Sequence, residues 1–86
     1  MVQVKIINKL GLHARASAAF VKEASRFESD IFVTKGDNRV NGKSIMGLLT
    51  LAAACGETVG LEAEGVDAKE AIEELEKLIL NKFNEE

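Results

Sequence analysis

A short turn near the middle of the chain constrains the fold more than any other feature of the sequence. Gly36-Asp37-Asn38 combines residues that tolerate positive φ. It separates a β-branched and aromatic run at Asp30–Lys35 from a short run at Arg39–Asn41. Strands joined by so short a turn pair antiparallel, so the sequence predicts a β-hairpin here.

Hydrophobic periodicity places further elements on both sides of this hairpin. Val2–Ile7 alternates imperfectly and predicts a strand, and the clearer alternation over Glu57–Glu64 predicts another, half-buried strand. Ala14–Phe27 has helical spacing instead. The apolar positions predicted for this helix are Ala14, Ala18, Val21, Ala24 and Phe27.

Two later segments also have the features of helices. Ser44–Ala54 is short and apolar, with Ser44 as the candidate N-cap and Gly56 as the candidate stop. Asp67-Ala68-Lys69-Glu70 has the spacing of a capping box and predicts the start of the last helix. The acidic end Glu85-Glu86 is expected to fray. The apolar stripe predicted for the last helix is Ala71, Ile72, Leu75, Leu78, Ile79 and Phe83.

The resulting order, β-α-β-β-α-β-α, predicts an α+β fold in two layers, with helices on one face of a mostly antiparallel sheet. A chain of 86 residues forms one domain, spanning residues 1–86, with a modest core. Such a domain has little room for a deep active-site cleft and a separate cofactor site. The size therefore favours a carrier, a binding module or a structural piece over an enzyme, and no cofactor is expected.

Composition narrows the class of protein further. The chain has 11 Lys and Arg against 14 Asp and Glu, a formal net charge of −3. The basic residues are scattered without interleaved aromatic residues, which argues against nucleic-acid binding. One cysteine excludes an internal disulfide. The first residues lack the pattern of a signal peptide, and the longest apolar run, 48–55, is too short to span a bilayer. A cytoplasmic protein without membrane association is expected.

His13 is the one histidine of the chain, and it lies in Gly11-Leu12-His13-Ala14-Arg15, where a loop gives way to a helix. A lone histidine is most often a surface or capping residue without a chemical role. A helix N-terminus, however, offers unpaired backbone N–H groups and the positive end of the helix dipole, which together bind anions. Arg15 adds a cation that suits phosphate. The positive field also favours the neutral imidazole, whose lone pair can attack phosphorus.

Ser44 has two interpretations. As an N-cap it is purely structural, whereas as a phosphorylation site it would place a dianion at a helix N-terminus without unfolding the helix. The segment Gly36–Ser44 is also a near match to a nucleotide-binding P-loop. It has five residues between its glycines instead of four, and it follows a hairpin instead of a strand that leads into a helix. The sequence therefore disfavours nucleotide binding.

The start of the short helix, Ile45-Met46-Gly47-Leu48-Leu49, is apolar all round, although a short helix buries only one face. Part of it is therefore expected to stay exposed as a docking patch, a role that suits methionine. Cys55 is expected to be a small buried hydrophobe, and nothing in the sequence supports a Cys–His catalytic pair with His13. One histidine and one cysteine do not make a closed zinc site, so no metal is expected.

At this point the sequence resembles HPr, the histidine-containing phosphocarrier family of the bacterial sugar phosphotransferase system. Two motifs carry the resemblance, which covers essentially the whole chain. Gly11-Leu12-His13-Ala14-Arg15 looks like the active-site loop of the family. Asn41-Gly42-Lys43-Ser44-Ile45-Met46-Gly47-Leu48-Leu49 looks like its regulatory-serine segment.

The resemblance implies an open-faced β-sandwich, in which three helices cover one side of four antiparallel strands. It implies that His13 accepts a phosphoryl group on Nδ1 from phosphorylated enzyme I and passes it to enzyme IIA domains, while Arg15 neutralises the phosphate. Ser44 would be modified by HPr kinase/phosphorylase where that enzyme exists. The shared docking surface would be lined by Ala14, Ala18, Ile45, Met46 and Leu49.

The sequence departs from the family pattern directly after Arg15, where Ala16 replaces the usual proline. Proline in the first turn of a helix pre-sets φ and gives up an N–H that lacks a partner. Alanine restores that donor and loosens the backbone, which affects the phosphate geometry. The departure is compatible with membership of a paralogous regulatory branch, such as a nitrogen-related phosphotransfer system.

Three classes of function are compatible with these features. The first is a monomeric phosphocarrier that is a substrate of phosphotransferases and not itself an enzyme. The second is a regulatory module that, once phosphorylated on Ser44, docks on a transcription regulator or a transporter. The third, a small autonomous enzyme, lacks a catalytic dyad, a P-loop and a metal set. The presence of His13 as a nucleophile favours the phosphocarrier.

Overall fold

The sheet has four strands, and the computed structural model describes them within residues 1–84. They are β1 (Val2–Lys5), β2 (Asp30–Lys35), β3 (Asn38–Asn41) and β4 (Thr58–Glu64). All neighbours pair antiparallel, in the order β1-β4-β2-β3. Lys35 lies opposite Asn38 across the β2–β3 pair, so the predicted hairpin is confirmed.

Three helices complete the fold: α1 (Ala14–Ala24), α2 (Ile45–Leu51) and α3 (Ala68–Leu80). Helix α1 packs against α2 and α3, while α3 contacts β1 and β4, and α2 contacts β2 and β3. The strands alternate between a buried and an open face, as Val4 is buried between the exposed Gln3 and Lys5. The element order and the α+β fold, an open-faced sandwich, are therefore as predicted.

The core between the sheet and the helices is built from aliphatic residues and three phenylalanines, Phe20, Phe27 and Phe83. Helix α1 contributes the largest of its side chains, and α3 contributes one residue from every turn. Within residues 1–84, no helix is both long enough and apolar enough to cross a bilayer. The largest fully buried apolar side chains are Phe20, Ile6, Ile31, Leu48, Leu61, Leu75, Ile79, Val33 and Val59.

Several elements end earlier than predicted. Strand β1 ends at Lys5 instead of Ile7. Helix α1 ends at Ala24 instead of Phe27, because the next amides bond three residues back: Phe27 N donates to the Ala24 carbonyl at 3.2 Å. Helix α2 ends at Leu51 instead of Ala54, because Ala52 adopts left-handed geometry with φ 50°.

The buried face of α1 also differs from the prediction. The structure buries Ala16, Ser17, Phe20 and Ala24, whereas Ala14 and Ala18 are exposed. An alanine-rich helix has several weakly apolar faces, and the bulky Phe20 decides which of them turns inward. The face predicted from periodicity is therefore wrong for Ala14 and Ala18.

The predicted capping box at the start of α3 is also wrong. Asp67 is the N-cap residue, but its side chain makes no capping bond. Its carboxylate instead accepts hydrogen bonds from Glu28 N at 2.9 Å, Ser29 N at 3.0 Å and Ser29 Oγ at 2.5 Å. The tertiary partners outcompete the helix because three donors converge on one carboxylate.

The predicted apolar stripe of α3 is right through Ile79, but Phe83 lies beyond the helix. It is buried within a short turn, Lys82–Asn84, whose residues have positive φ. The chain thus reverses handedness to fold the ring back onto the core. The fraying predicted for Glu85-Glu86 lies outside the described residues.

Candidate functional site

The loop between β1 and α1 is fixed by its backbone to the segment that follows α2. Gly11 N donates to the Asn8 carbonyl at 3.1 Å, which closes a turn, and Leu12 N donates to the Ala53 carbonyl at 2.9 Å. Gly11 has φ +63°, and a Cβ there would collide with the Ala53 carbonyl oxygen. Only glycine fits this combination of left-handed geometry and close approach. The loop therefore delivers the next residue to a defined place.

That residue is His13, which is the N-cap of α1 in extended geometry, with φ −77° and ψ −179°. The half-buried ring does not cap the helix. Its Nδ1 lies 3.1 Å from the Gly11 carbonyl oxygen. A carbonyl oxygen only accepts hydrogen bonds, so Nδ1 carries a proton in this arrangement.

The N-terminus of α1 has the electrostatics of an anion site. The first intrahelical bond runs from Ser17 N to the His13 carbonyl at 2.9 Å, so the amides of the three residues before Ser17 have no acceptor one turn back. No acidic residue lies in the first turn. Arg15 is exposed, and Ala16 is buried with 1% exposure. The positive helix end and the guanidinium thus favour a negative group beside His13.

Ser44 begins α2 in a different way. Its Oγ accepts a hydrogen bond from Gly47 N at 3.0 Å, which confirms the predicted N-cap. A turn fixes the position of Ser44. Ser44 N donates to the Asn41 carbonyl at 3.1 Å, and Lys43 N donates to Asn41 Oδ1 at 2.8 Å. The hydroxyl group is half-buried and already serves the helix.

The five residues predicted to dock partners lie on α1 and α2, which pack against each other. Ala14 and Ala18 are exposed on α1, and on α2 Ile45 and Met46 are 41% and 71% exposed. Leu49 is partly buried.

The sequence patterns did not single out Leu10 as an exposed apolar residue. It lies in the loop before His13 and is 69% exposed. Its surroundings gave no periodic signal, because a loop residue has no face to predict.

Cys55 is exposed, so its prediction as a buried hydrophobe is wrong. Because α2 ends at Leu51, Cys55 lies in the following turn and not on the helix. Among residues 1–84, no group of three or more potential metal ligands comes together.

An ion pair holds this turn. Lys35 Nζ donates to the Leu51 carbonyl at 3.2 Å and lies 3.0 Å from Glu57 Oε1. The same Glu57 oxygen accepts from Ala54 N at 2.7 Å. This backbone bond, followed by the Lys35 bond, lowers the pKa of Glu57. The pair thereby steadies the segment to which the His13 loop is bonded through Ala53.

The chain matches proteins of one family across almost its entire length. The family model described as "PTS HPr component phosphorylation site" matches residues 2–81. The phosphocarrier protein HPr of Neisseria meningitidis serogroup A is 57% identical over 82 residues, which cover 95% of this chain and 92% of that protein.

Solved structures agree. The crystal structure of HPr-C-His from Thermoanaerobacter tengcongensis has a TM-score of 0.95 and 52% identity, covering 99% of this chain and 96% of that one. Crh of Bacillus subtilis, described as a domain-swapped dimer, has a TM-score of 0.79 and 48% identity, covering 95% and 97%.

Proposed function

Because this chain belongs to the HPr family of phosphocarriers in the phosphotransferase system, we propose that His13 is the residue on which it carries the phosphoryl group. A member of this family is a phosphocarrier and not an enzyme. The observation that supports His13 is its position: a half-exposed imidazole at the start of a helix that its own side chain does not cap. The helix amides remain to receive the phosphoryl oxygens.

Nδ1 is the proposed acceptor atom. In the resting protein this atom faces the Gly11 carbonyl at 3.1 Å. Phosphorylation on Nδ1 therefore requires the ring to leave that carbonyl and to change tautomer. Transfer then needs little more than positioning and charge neutralisation, since phosphoryl transfer involves no acid or base in the carrier beyond the ring itself.

Arg15 is proposed to neutralise the phosphate. It lies in the first turn of α1 and is exposed, so its guanidinium can approach an anion on His13 without a burial cost. Its fork of donors suits phosphate oxygens better than the single ammonium of lysine. Arg15→Lys is expected to slow phosphoryl uptake while leaving the fold unchanged.

Intact-mass analysis after incubation with enzyme I and phosphoenolpyruvate tests this function. The protein is expected to gain one acid-labile phosphate, and His13→Ala is expected to gain none. Ser44→Ala is the matched control, because it removes the other N-cap residue and should still gain one. A folded wild-type protein that accepts no phosphate from any enzyme I would exclude His13 as the carrier site.

A regulatory role is proposed for Ser44, as a substrate of HPr kinase/phosphorylase. The HPr-like protein Crh of Bacillus subtilis, 52% identical over 77 residues and described as a catabolite repression HPr, favours a regulatory role. A phosphate on Ser44 would stay at the start of α2, where its oxygens could take over the Gly47 N–H. The test is ATP-dependent phosphorylation by the kinase, which Ser44→Ala should prevent and His13→Ala should not.

Partners are proposed to dock on the surface formed by Ala14, Ala18, Ile45, Met46 and Leu49. Enzyme I and enzyme IIA domains would share it, and a transcription regulator would bind the form phosphorylated on Ser44. Exposed apolar side chains, Met46 above all, are the support for this surface.

A monomer in the cytoplasm remains the proposal for the carrier, although a relative, Crh, forms a dimer. The protein is proposed to act in sugar uptake and not in a nitrogen-related phosphotransfer system. Sedimentation at several concentrations tests the monomer, and comparison of sugar-specific and nitrogen-related enzyme IIA domains as acceptors tests the route.

A further inference from the structure

The Gly11 carbonyl accepts hydrogen bonds from two side chains. Asn8 Nδ2 donates to it at 2.8 Å, and His13 Nδ1 lies 3.1 Å from the same oxygen. Asn8 has no exposed surface, and Gly11 is buried. A buried carbonyl needs at least one donor, because leaving it unsatisfied costs the full desolvation of the group. One oxygen thus connects a buried amide to the imidazole.

Phosphorylation removes one of these two donors. With His13 as the acceptor, on which this inference rests, the bond between phosphorus and the donor protein breaks as a phosphorus–Nδ1 bond forms. The Nδ1 proton moves to Nε2 through solvent, so the neutral ring gains no net charge from the tautomer change. Nδ1 then has no proton to donate to Gly11. The carbonyl keeps a partner only if Asn8 remains in place.

We propose that Asn8 is a positioning residue for phosphoryl transfer, since its amide keeps the Gly11 carbonyl satisfied when His13 carries phosphate. Asn8 can hold the loop in both the free and the phosphorylated protein because it makes two hydrogen bonds to Gly11. Its side chain donates to the Gly11 carbonyl, and its own carbonyl accepts from Gly11 N at 3.1 Å. The loop therefore keeps its shape whether or not His13 contributes a bond.

The test compares Asn8→Ala with Ser17→Ala. Ser17 is also fully buried, and its Oγ donates to the neighbouring Leu12 carbonyl at 3.3 Å, so the control removes a buried bond to the same loop without touching Gly11. Each variant is equilibrated with enzyme I at fixed phosphoenolpyruvate and pyruvate. Asn8→Ala is expected to lower the ratio of phosphorylated to free carrier by about fivefold, the factor for one hydrogen bond. Ser17→Ala should leave that ratio unchanged.

Kinetics separate this role from a general loss of structure. In the forward reaction from enzyme I, Asn8→Ala is expected to lower kcat and to leave KM unchanged, because the docking surface is intact. An equal ratio and an equal kcat in Asn8→Ala and the wild type would overturn the proposal. A protein that takes no phosphate even as wild type would instead overturn the proposed function.

A measurement on the wild type covers the case in which Asn8→Ala does not fold. In nitrogen-15 NMR spectra, the resting protein should show a protonated Nδ1 on His13. The Asn8 Nδ2 protons should stay protected from solvent exchange in both the free and the phosphorylated protein. Loss of that protection on phosphorylation, or an unprotonated Nδ1 in the resting neutral ring, would contradict the proposal.

Discussion

Helices α1 and α2 each begin at a residue proposed to carry phosphate, but the two N-termini are built differently. Ser44 caps its helix, since its Oγ accepts a bond from Gly47 N at 3.0 Å. His13 occupies the same N-cap position and leaves its helix uncapped by the side chain, with Nδ1 turned to the loop carbonyl of Gly11.

The difference fits the two proposed roles, a transferable phosphate on His13 and a stable one on Ser44. An uncapped helix start has amides to offer to an arriving anion, and no capping bond has to break. A capped start must exchange its existing bond when the hydroxyl is modified. The α1 site is therefore suited to rapid transfer, and the α2 site to a modification that an enzyme adds and removes.

The largest expected effect comes from the glycine that carries the α1 site. Gly11 and Gly36 have nearly equal φ, +63° and +60°, but a Cβ would collide with the Ala53 backbone at Gly11 and would meet nothing within 4 Å at Gly36. Gly11→Ala should lower the free energy of unfolding by roughly 3 kcal/mol, because strain and overpacking add. Gly36→Ala should cost only about 1 kcal/mol, from strain alone. Denaturant unfolding measures both, and equal losses would mean that contact with Ala53 does not hold the loop.

The next effect concerns the proposed docking surface on α1 and α2. Met46→Ala is expected to weaken binding to enzyme I about tenfold, because a large exposed apolar side chain is lost from the interface. Val66→Ala is the matched control, since Val66 is 89% exposed, close to the start of α3 and outside the docking surface. Calorimetric titration measures the affinity of both variants for enzyme I. A similar loss of affinity in both would show that Met46 does not belong to the interface.

A smaller effect compares the two N-caps directly through stability. Ser44→Ala is expected to cost about 1 kcal/mol of unfolding free energy, because Gly47 N loses its cap. His13→Ala should cost roughly 0.5 kcal/mol or less, since it caps nothing and the Gly11 carbonyl keeps its Asn8 donor. Thermal or urea unfolding provides both values. A larger loss of unfolding free energy in His13→Ala than in Ser44→Ala would contradict this comparison.

The smallest effect concerns the third N-cap residue, Asp67, which belongs to neither site. The hydrogen bond from Ser29, followed by that from Glu28 N, lowers the pKa of Asp67 in the folded protein below the ordinary value of 3.8. The carboxylate therefore stabilises the fold above that value, and this contribution is lost as the pH falls through the folded pKa. Asp67→Asn should flatten the acid limb of stability against pH, and Ser29→Ala should flatten part of it. If the curves of stability against pH for both variants run parallel to that of the wild type, the hydrogen bonds to Asp67 are not coupled to its protonation.

Local patterns in the sequence predicted the hairpin, the element order and both helix starts that hold His13 and Ser44. Each depends on neighbours within about a turn of the chain, such as the glycine at the turn or the serine three residues before the amide it caps. The exposure of Cys55, the inward face of α1 and the partners of Asp67 were predicted wrongly. The partners of Asp67 depend on a residue distant in sequence, Ser29. The inward face of α1 depends on how Phe20 packs into the core, and the exposure of Cys55 depends on where α2 ends.

The sequence by itself determined which residues are chemically able to carry phosphate and which helices they begin. Only the tertiary structure decided that His13 faces the Gly11 carbonyl, that Asn8 shares that carbonyl, and that the loop rests on Ala53. The physical reason is that helix starts and turns are set by short-range backbone geometry. Asn8, Gly11 and His13 are close in sequence, but the loop that brings their groups together is held against Ala53 by packing, which no local pattern records.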